Sequence, residues 1–152
     1  MAKKNSLWKK GSGKLGIFVP LLGTWKAESD SPMGKMTCTR SYTSVLSGKY
    51  VQLNACWQFT NFKYEELAIY GVRDGTVSFW SFTSDGKRSQ GKIADGTDIH
   101  REAICFEAEM PAGLARMIFW PHEDGGFKWA VESKTKKGWN RFTEHHYHLA
   151  GR

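Results

Sequence analysis

The sequence predicts an all-β fold: a single antiparallel up-and-down β-barrel of about ten strands, with a short N-terminal helix or plug. Three observations carry this. Turn signals recur along the chain, at Ser47-Gly48, Asp74-Gly75, Asp85-Gly86, Asp95-Gly96, Pro111-Ala112-Gly113, Asp124-Gly125-Gly126 and Lys137-Gly138. Aromatic residues make up 14% of the chain, with seven Trp, and such side chains fit pleated, half-buried surfaces. No segment beyond Gly23 keeps a 3.6-residue apolar period.

The elements follow in order. Lys3, Lys4, Lys9, Lys10 and Lys14 make residues 1–14 a basic, flexible leader, and the barrel domain occupies 15–152. Residues 15–22 are apolar with Pro20 near their end, which suits a short helix or an extended plug. Strands are expected at about 23–28, 35–44, 49–58, 64–73, 76–84, 87–94, 102–110, 115–121, 127–134 and 139–148. Asp-Gly between alternating runs signals a tight hairpin, because a type I′ turn needs positive φ at both central residues.

Length and charge narrow the class. A chain of 152 residues suits one domain with one core. Of the net charge of +7, all but about +2 belongs to the leader lysines, so the domain is nearly balanced. A solubilising leader is favoured over a nucleic-acid-binding arm. Cys38, Cys56 and Cys105 form neither a CxxC nor an even set, which argues against a zinc site or a disulfide framework. No apolar run approaches the roughly 18 residues of a membrane span, and the leader lacks the apolar core of a signal peptide. A cytoplasmic protein is expected, as a monomer or homodimer.

Register can be argued hairpin by hairpin, since a one-residue slip moves every side chain to the other face. Pairing Ser44 with Lys49 collects Met36, Cys38, Arg40, Tyr42, Val51, Leu53, Ala55 and Trp57 inside; Arg40 is the one charge among them. Two-residue turns at Asp74-Gly75 and Asp85-Gly86 put Leu67, Ile69, Gly71, Ser78, Trp80, Phe82, Gly91 and Ile93 on one face. The opposite face ends in Ser81, Thr83, Arg88, Gln90 and Lys92 and is read as the outer one, with Tyr70 and Phe79 as exposed or partner-covered aromatics. Pairing Glu109 with Arg116 turns Ile104, Phe106, Ala108, Ala115, Met117 and Phe119 inward. In the last hairpin a Glu132–Arg141 pair brings Phe127, Trp129 and Val131 inside, with Phe142, Glu144, His146 and His148 beside them. The alternative, one residue away, brings in Trp139, Arg141, Thr143, His145 and Tyr147; the first register is preferred for its outer charge pair. Closing ten such strands removes both sheet edges, which favours a barrel over a sandwich.

Gly23-Thr24-Trp25 after an apolar lead-in (Leu21, Leu22), followed by a meander to the C-terminus, resembles the lipocalin-like, or calycin, superfamily. The arginine-containing second strand, Ser47-Gly48-Lys49-Tyr50 and Tyr70-Gly71-Val72 look most like an uncharacterised bacterial domain family of such barrels. The resemblance spans residues 20–148 and implies the fold more than an activity. It also implies that Trp25 closes one end of the barrel against a basic side chain late in the chain, His148 or Arg152.

The expected interior combines apolar walls with a few polar groups, the usual make-up of a small-molecule pocket. The ligand-binding residues expected are Arg40, Tyr42, Trp57, Trp80, Phe106, Met117, Trp129, Glu144 and His146. Arg40 either receives the anionic head of an apolar or amphipathic ligand, or is neutralised internally by Glu144, since an unpaired buried charge is costly. Metal is not expected: His146 and His148 share a face, but i, i+2 side chains stand roughly 7 Å apart. No cofactor is predicted; haem on His146 is the alternative, because some barrels of the superfamily hold haem through one late-strand His, although their glycine-rich, proline-containing first strand is absent here. GxSxG, HExxH and phosphate-loop signatures are missing. Asp95, Asp98, His100, Arg101 and Glu102 read as a solvated loop, and Cys38 as an inert buried thiol. Two further readings stand beside ligand binding: an enzyme of the same fold using Arg40, Tyr42, Glu144 and His146, and a filled barrel that associates through Tyr70 and Phe79. Nucleic-acid binding is disfavoured for want of a basic groove.

Overall fold

The computed structural model describes residues 7–31 and 34–151. Ten antiparallel strands close into one barrel: β1 (Gly23–Ser31), β2 (Gly34–Val45), β3 (Tyr50–Gln58), β4 (Lys63–Arg73), β5 (Thr76–Thr83), β6 (Arg88–Ala94), β7 (Ile104–Met110), β8 (Gly113–Pro121), β9 (Phe127–Thr135) and β10 (Gly138–Gly151). Each strand pairs with its chain neighbours and β1 pairs with β10, so no edge is left unpaired. All ten expected strands are present.

A 3₁₀ helix, Lys14–Leu21, packs across one end. Its Phe18 is buried against Tyr70 and Phe106, with ring centroids 4.8 and 5.8 Å away. Burying a side chain of this size contributes about 2–3 kcal/mol. Trp25 is buried at the same end, donates through Nε1–H to the Leu21 carbonyl at 2.7 Å, and packs edge-on against Phe127. Of the two basic partners expected for it, His148 is exposed beside His146, and Arg152 lies outside the described residues. Of the leader, residues 1–6 also lie outside the described residues. Trp8 is tied down, buried near Phe127 with its Nε1–H donating to the Glu102 carbonyl.

Three hairpins show how turn geometry sets the faces. β2 and β3 pair Val45 with Tyr50, so Ser44 faces Val51 rather than Lys49. That difference of two residues leaves every side chain on its expected face. The Glu109–Arg116 pairing is likewise shifted by two: Glu107 faces Arg116, and Phe106, Ala108, Ala115 and Met117 remain inside. Asp74-Gly75 is a two-residue turn with φ of 51° and 79°, the positive pair that a type I′ turn requires.

The middle of the barrel corrects the expectation. Tyr70 and Phe79 are buried inside, whereas Leu67 and Phe82 are exposed and Trp80 lies on the outer face beside Gln90. Ile93 keeps the face of Gly91, opposite Phe106, but is 36% exposed. Tyr70 faces the interior residue Val51 and pairs with Phe79, which fixes the inner face of β4 and β5, and the Asp85-Gly86 turn then sets β6. A two-residue turn there would pair Ser84 with Lys87, but the observed turn pairs Phe82 with Arg88. This one-residue difference puts Phe79 and Ser81, not Trp80 and Phe82, on the face of Gly91. Phe79 lies directly over Gly91, where an added Cβ would come within 2.5 Å of its ring.

Outside the barrel, Glu132 is buried between two arginines, Arg116 and Arg141, each at 2.8 Å. Arg116 also makes a bidentate pair with Asp98, which fastens the 95–103 loop over the wall. The Arg116 guanidinium holds the Asp98 carboxyl below its usual range.

Candidate binding cavity

The barrel end opposite the helix opens into a cavity of about 880 Å³, within the usual range for small-ligand sites. Its mouth includes Asp30, Phe59, Phe62 and Met110 from the hairpin turns at that end. Deeper, Met36, Trp57, Phe79, Phe106, Met117 and Trp129 supply apolar walls. Tyr64, Glu66, Ser81, Thr83 and His145 add polar groups on parts of the wall.

Behind Trp57 and Trp129 lies Arg40, wholly excluded from solvent. Its guanidinium carbon stands 4.9 Å from the Trp129 ring centroid and 5.7 Å from that of Trp57. Tyr42 and Tyr147 complete an aromatic cage at 5.8 and 5.7 Å. Arg40 Nε and Nη2 both donate to the Tyr42 hydroxyl, at 3.2 and 3.1 Å. No carboxylate reaches ion-pair distance of the guanidinium among the described residues. Three buried polar atoms in this region have no hydrogen-bond partner among the described residues: Arg40 Nη1, Tyr70 OH and Trp129 Nε1. Buried donors are nearly always paired, so three together mark this region out.

The last hairpin contains both expected registers. Glu132 pairs with Arg141, as preferred, but Thr143 rather than Phe142 faces Val131. Phe142 is the extra residue of a β-bulge, and beyond it the alternation is inverted. Thr143, His145 and Tyr147 therefore turn inward. Glu144 and His146, expected inside, project from the outer face. Glu144 contributes to the cavity wall, yet its carboxylate pairs outside with Lys128 and Arg141 at 2.7 and 2.6 Å. Lys128 first, then Arg141, holds that carboxyl below its usual range. The internal Arg40–Glu144 pair does not form. His146 Nε2 is 2.9 Å from the Gly125 carbonyl, and its ring lies between those of His122 and His148.

Of the nine expected residues, Arg40, Tyr42, Trp57 and Trp129 come together in one cluster, and Phe106 and Met117 line the adjoining cavity. Trp80, Glu144 and His146 face outward. Sequence reasoning missed Tyr64, Glu66, Tyr70 and Ser81, on β4 and β5, whose inner face follows from the β3–β4 register, and named His145 only in the alternative register that holds beyond the Phe142 bulge. His145 stacks flat on Trp129, 5.6 Å between centroids. Burial, then the charge on Arg40, pushes its pKa down, which favours a neutral imidazole on the cavity wall.

The remaining chemistry is sparse. The three cysteines are unpaired, and burial pushes the Cys105 thiol up to about 12. Among the described residues, no group of three or more His, Cys, Asp or Glu could hold a metal ion, and no helix is long and apolar enough to cross a membrane. Compared with protein-family models and with curated proteins, the sequence matches none.

Proposed function

We propose that this barrel binds a small amphipathic molecule, with its apolar part in the cavity and a hydrogen-bond-accepting head against the Trp129–Arg40 wall. The observation that carries this reading is a fully buried cation with no carboxylate at ion-pair distance among the described residues, one aromatic layer from an open cavity. A buried unpaired charge is expensive, and proteins that keep one commonly use it. The Phe106, Met117, Trp57 and Trp129 surfaces supply the apolar contact; Trp129 Nε1–H and Arg40 Nη1 are donors without a partner among the described residues, buried behind that surface. The closed meander, plugged at one end and open at the other, supports a lipocalin-like barrel of the calycin type. Three unpaired thiols support a reducing compartment, the cytoplasm.

N-phenyl-1-naphthylamine, a neutral apolar dye, tests whether the cavity takes a ligand. Wild-type protein is expected to enhance its fluorescence with one site per chain. Ala108→Trp, which fills the cavity from its wall, should weaken binding at least tenfold, whereas Leu67→Ser on the exposed outer face should not change it. Equal binding by all three proteins would place the dye elsewhere and remove the proposal.

A further inference from the structure

Arg40, Ala55 and Glu66 lie opposite one another on β2, β3 and β4, in a single cross-strand row of the interior face. With strands about 4.8 Å apart, a cation and an anion stand roughly 10 Å apart in backbone position, with only a methyl group between them. Ala55 is too small to separate them and Trp57, two residues on, lines the cavity wall. Glu66 lines the same cavity and accepts a hydrogen bond from Ser81 Oγ at 2.5 Å. Ser81 is neutral, so this contact leaves the carboxylate's charge uncompensated. On the other side, Arg40 Nη1 and Trp129 Nε1 have unused N–H groups. The cavity is thus flanked by two signs: donors and a positive charge buried behind the aromatic wall at one place, a carboxylate on the wall at another.

From this juxtaposition we infer that the preferred ligand carries a paired head, an anionic group for Arg40 and Trp129 and a cationic hydrogen-bond donor for Glu66, on an apolar tail. This rests on the amphipathic-ligand reading above and specifies the class: zwitterionic amphiphiles of the alkyl amino-acid type. A simple carboxylate amphiphile would be attracted by Arg40 but repelled by Glu66 at similar range. With an effective dielectric near 20, each such term is worth on the order of tenfold in affinity. A zwitterion converts the second term from a penalty into a gain.

The test uses three probes sharing one ten-carbon chain: 2-aminodecanoate, decanoate and decylamine. Each is titrated against bound N-phenyl-1-naphthylamine on the full chain. In wild-type protein 2-aminodecanoate should displace the dye at a concentration at least tenfold lower than either single-charge probe. Glu66→Gln keeps the size of the side chain and an acceptor for Ser81, and circular dichroism checks that it folds. In that variant decanoate should gain about tenfold and the zwitterion should lose its advantage over it. Equal displacement by decanoate and 2-aminodecanoate in wild-type protein, or a ranking unchanged by Glu66→Gln, would overturn the inference while leaving an amphipathic pocket. Failure of all three probes to displace a dye that Ala108→Trp excludes would overturn both the paired head and the amphipathic reading.

Discussion

Arg40→Met should weaken binding of 8-anilinonaphthalene-1-sulfonate at least tenfold while changing binding of N-phenyl-1-naphthylamine less than threefold. The two dyes share their rings and differ by the sulfonate, so the comparison isolates the head-group term. Four aromatic rings cage Arg40, and Trp129 is the nearest of them, at 4.9 Å. A guanidinium acting on an anion about 7–8 Å away at an effective dielectric of 20 contributes roughly 2 kcal/mol, or about thirtyfold. Stability should respond little. Methionine removes the desolvation cost of a buried charge, worth several kcal/mol. Against that, the Tyr42 hydroxyl loses its donors and four rings lose a cation contact. The net change should stay within about 2 kcal/mol, read from urea unfolding. Loss of both dyes together with a collapse in stability would make Arg40 a structural group only.

Glu132→Ala should have the opposite signature: dye binding retained at low temperature and a large loss of stability. Glu132 is 4% exposed and bridges Arg116 and Arg141. Arg116 itself is buried, stacked 4.3 Å from the Trp139 centroid. Removing the carboxylate leaves Arg116 with Asp98 alone, whose side chain is about half exposed. Breaking one side of a buried pair costs about 3–5 kcal/mol, which for a domain of this size lowers Tm by roughly 10 °C. Calorimetry of the variant checks this. The double variant Glu132→Ala/Arg116→Met should recover part of the loss, because the stranded charge is gone. A change in Tm below about 2 °C for Glu132→Ala would show that the network contributes little.

How far the fold could be read from the sequence depended on turn chemistry. Asp74-Gly75 behaves as its residue types dictate, and errors of two residues at Ser44 and Glu109 were harmless because side-chain alternation has period two. The faces of β4 and β5 were not legible, because apolar residues occur on both: Tyr70 and Phe79 on one, Leu67, Ile69, Trp80 and Phe82 on the other. Only the sheet-wide register, carried from Val51 to Tyr70 and on to Phe79, decides between them. The Phe142 bulge was similarly hidden. Both registers of the last hairpin had support, and the chain uses one on each side of a single extra residue. Within the site, Arg40 stood out because it is the lone charge on an otherwise apolar face. Glu66 did not, because its inward direction follows from a β3–β4 register that no local motif announces.

The most direct test of the central claim, an open cavity that takes a ligand head against the Arg40 wall, is a crystal structure of the protein with 8-anilinonaphthalene-1-sulfonate bound. The expected result is the naphthalene rings inside the cavity against Phe106 and Met117, with the sulfonate towards Trp129 on the Arg40 side. Dye seated only on the outer face at Leu67 and Phe82, with the barrel interior filled by its own side chains, would contradict it.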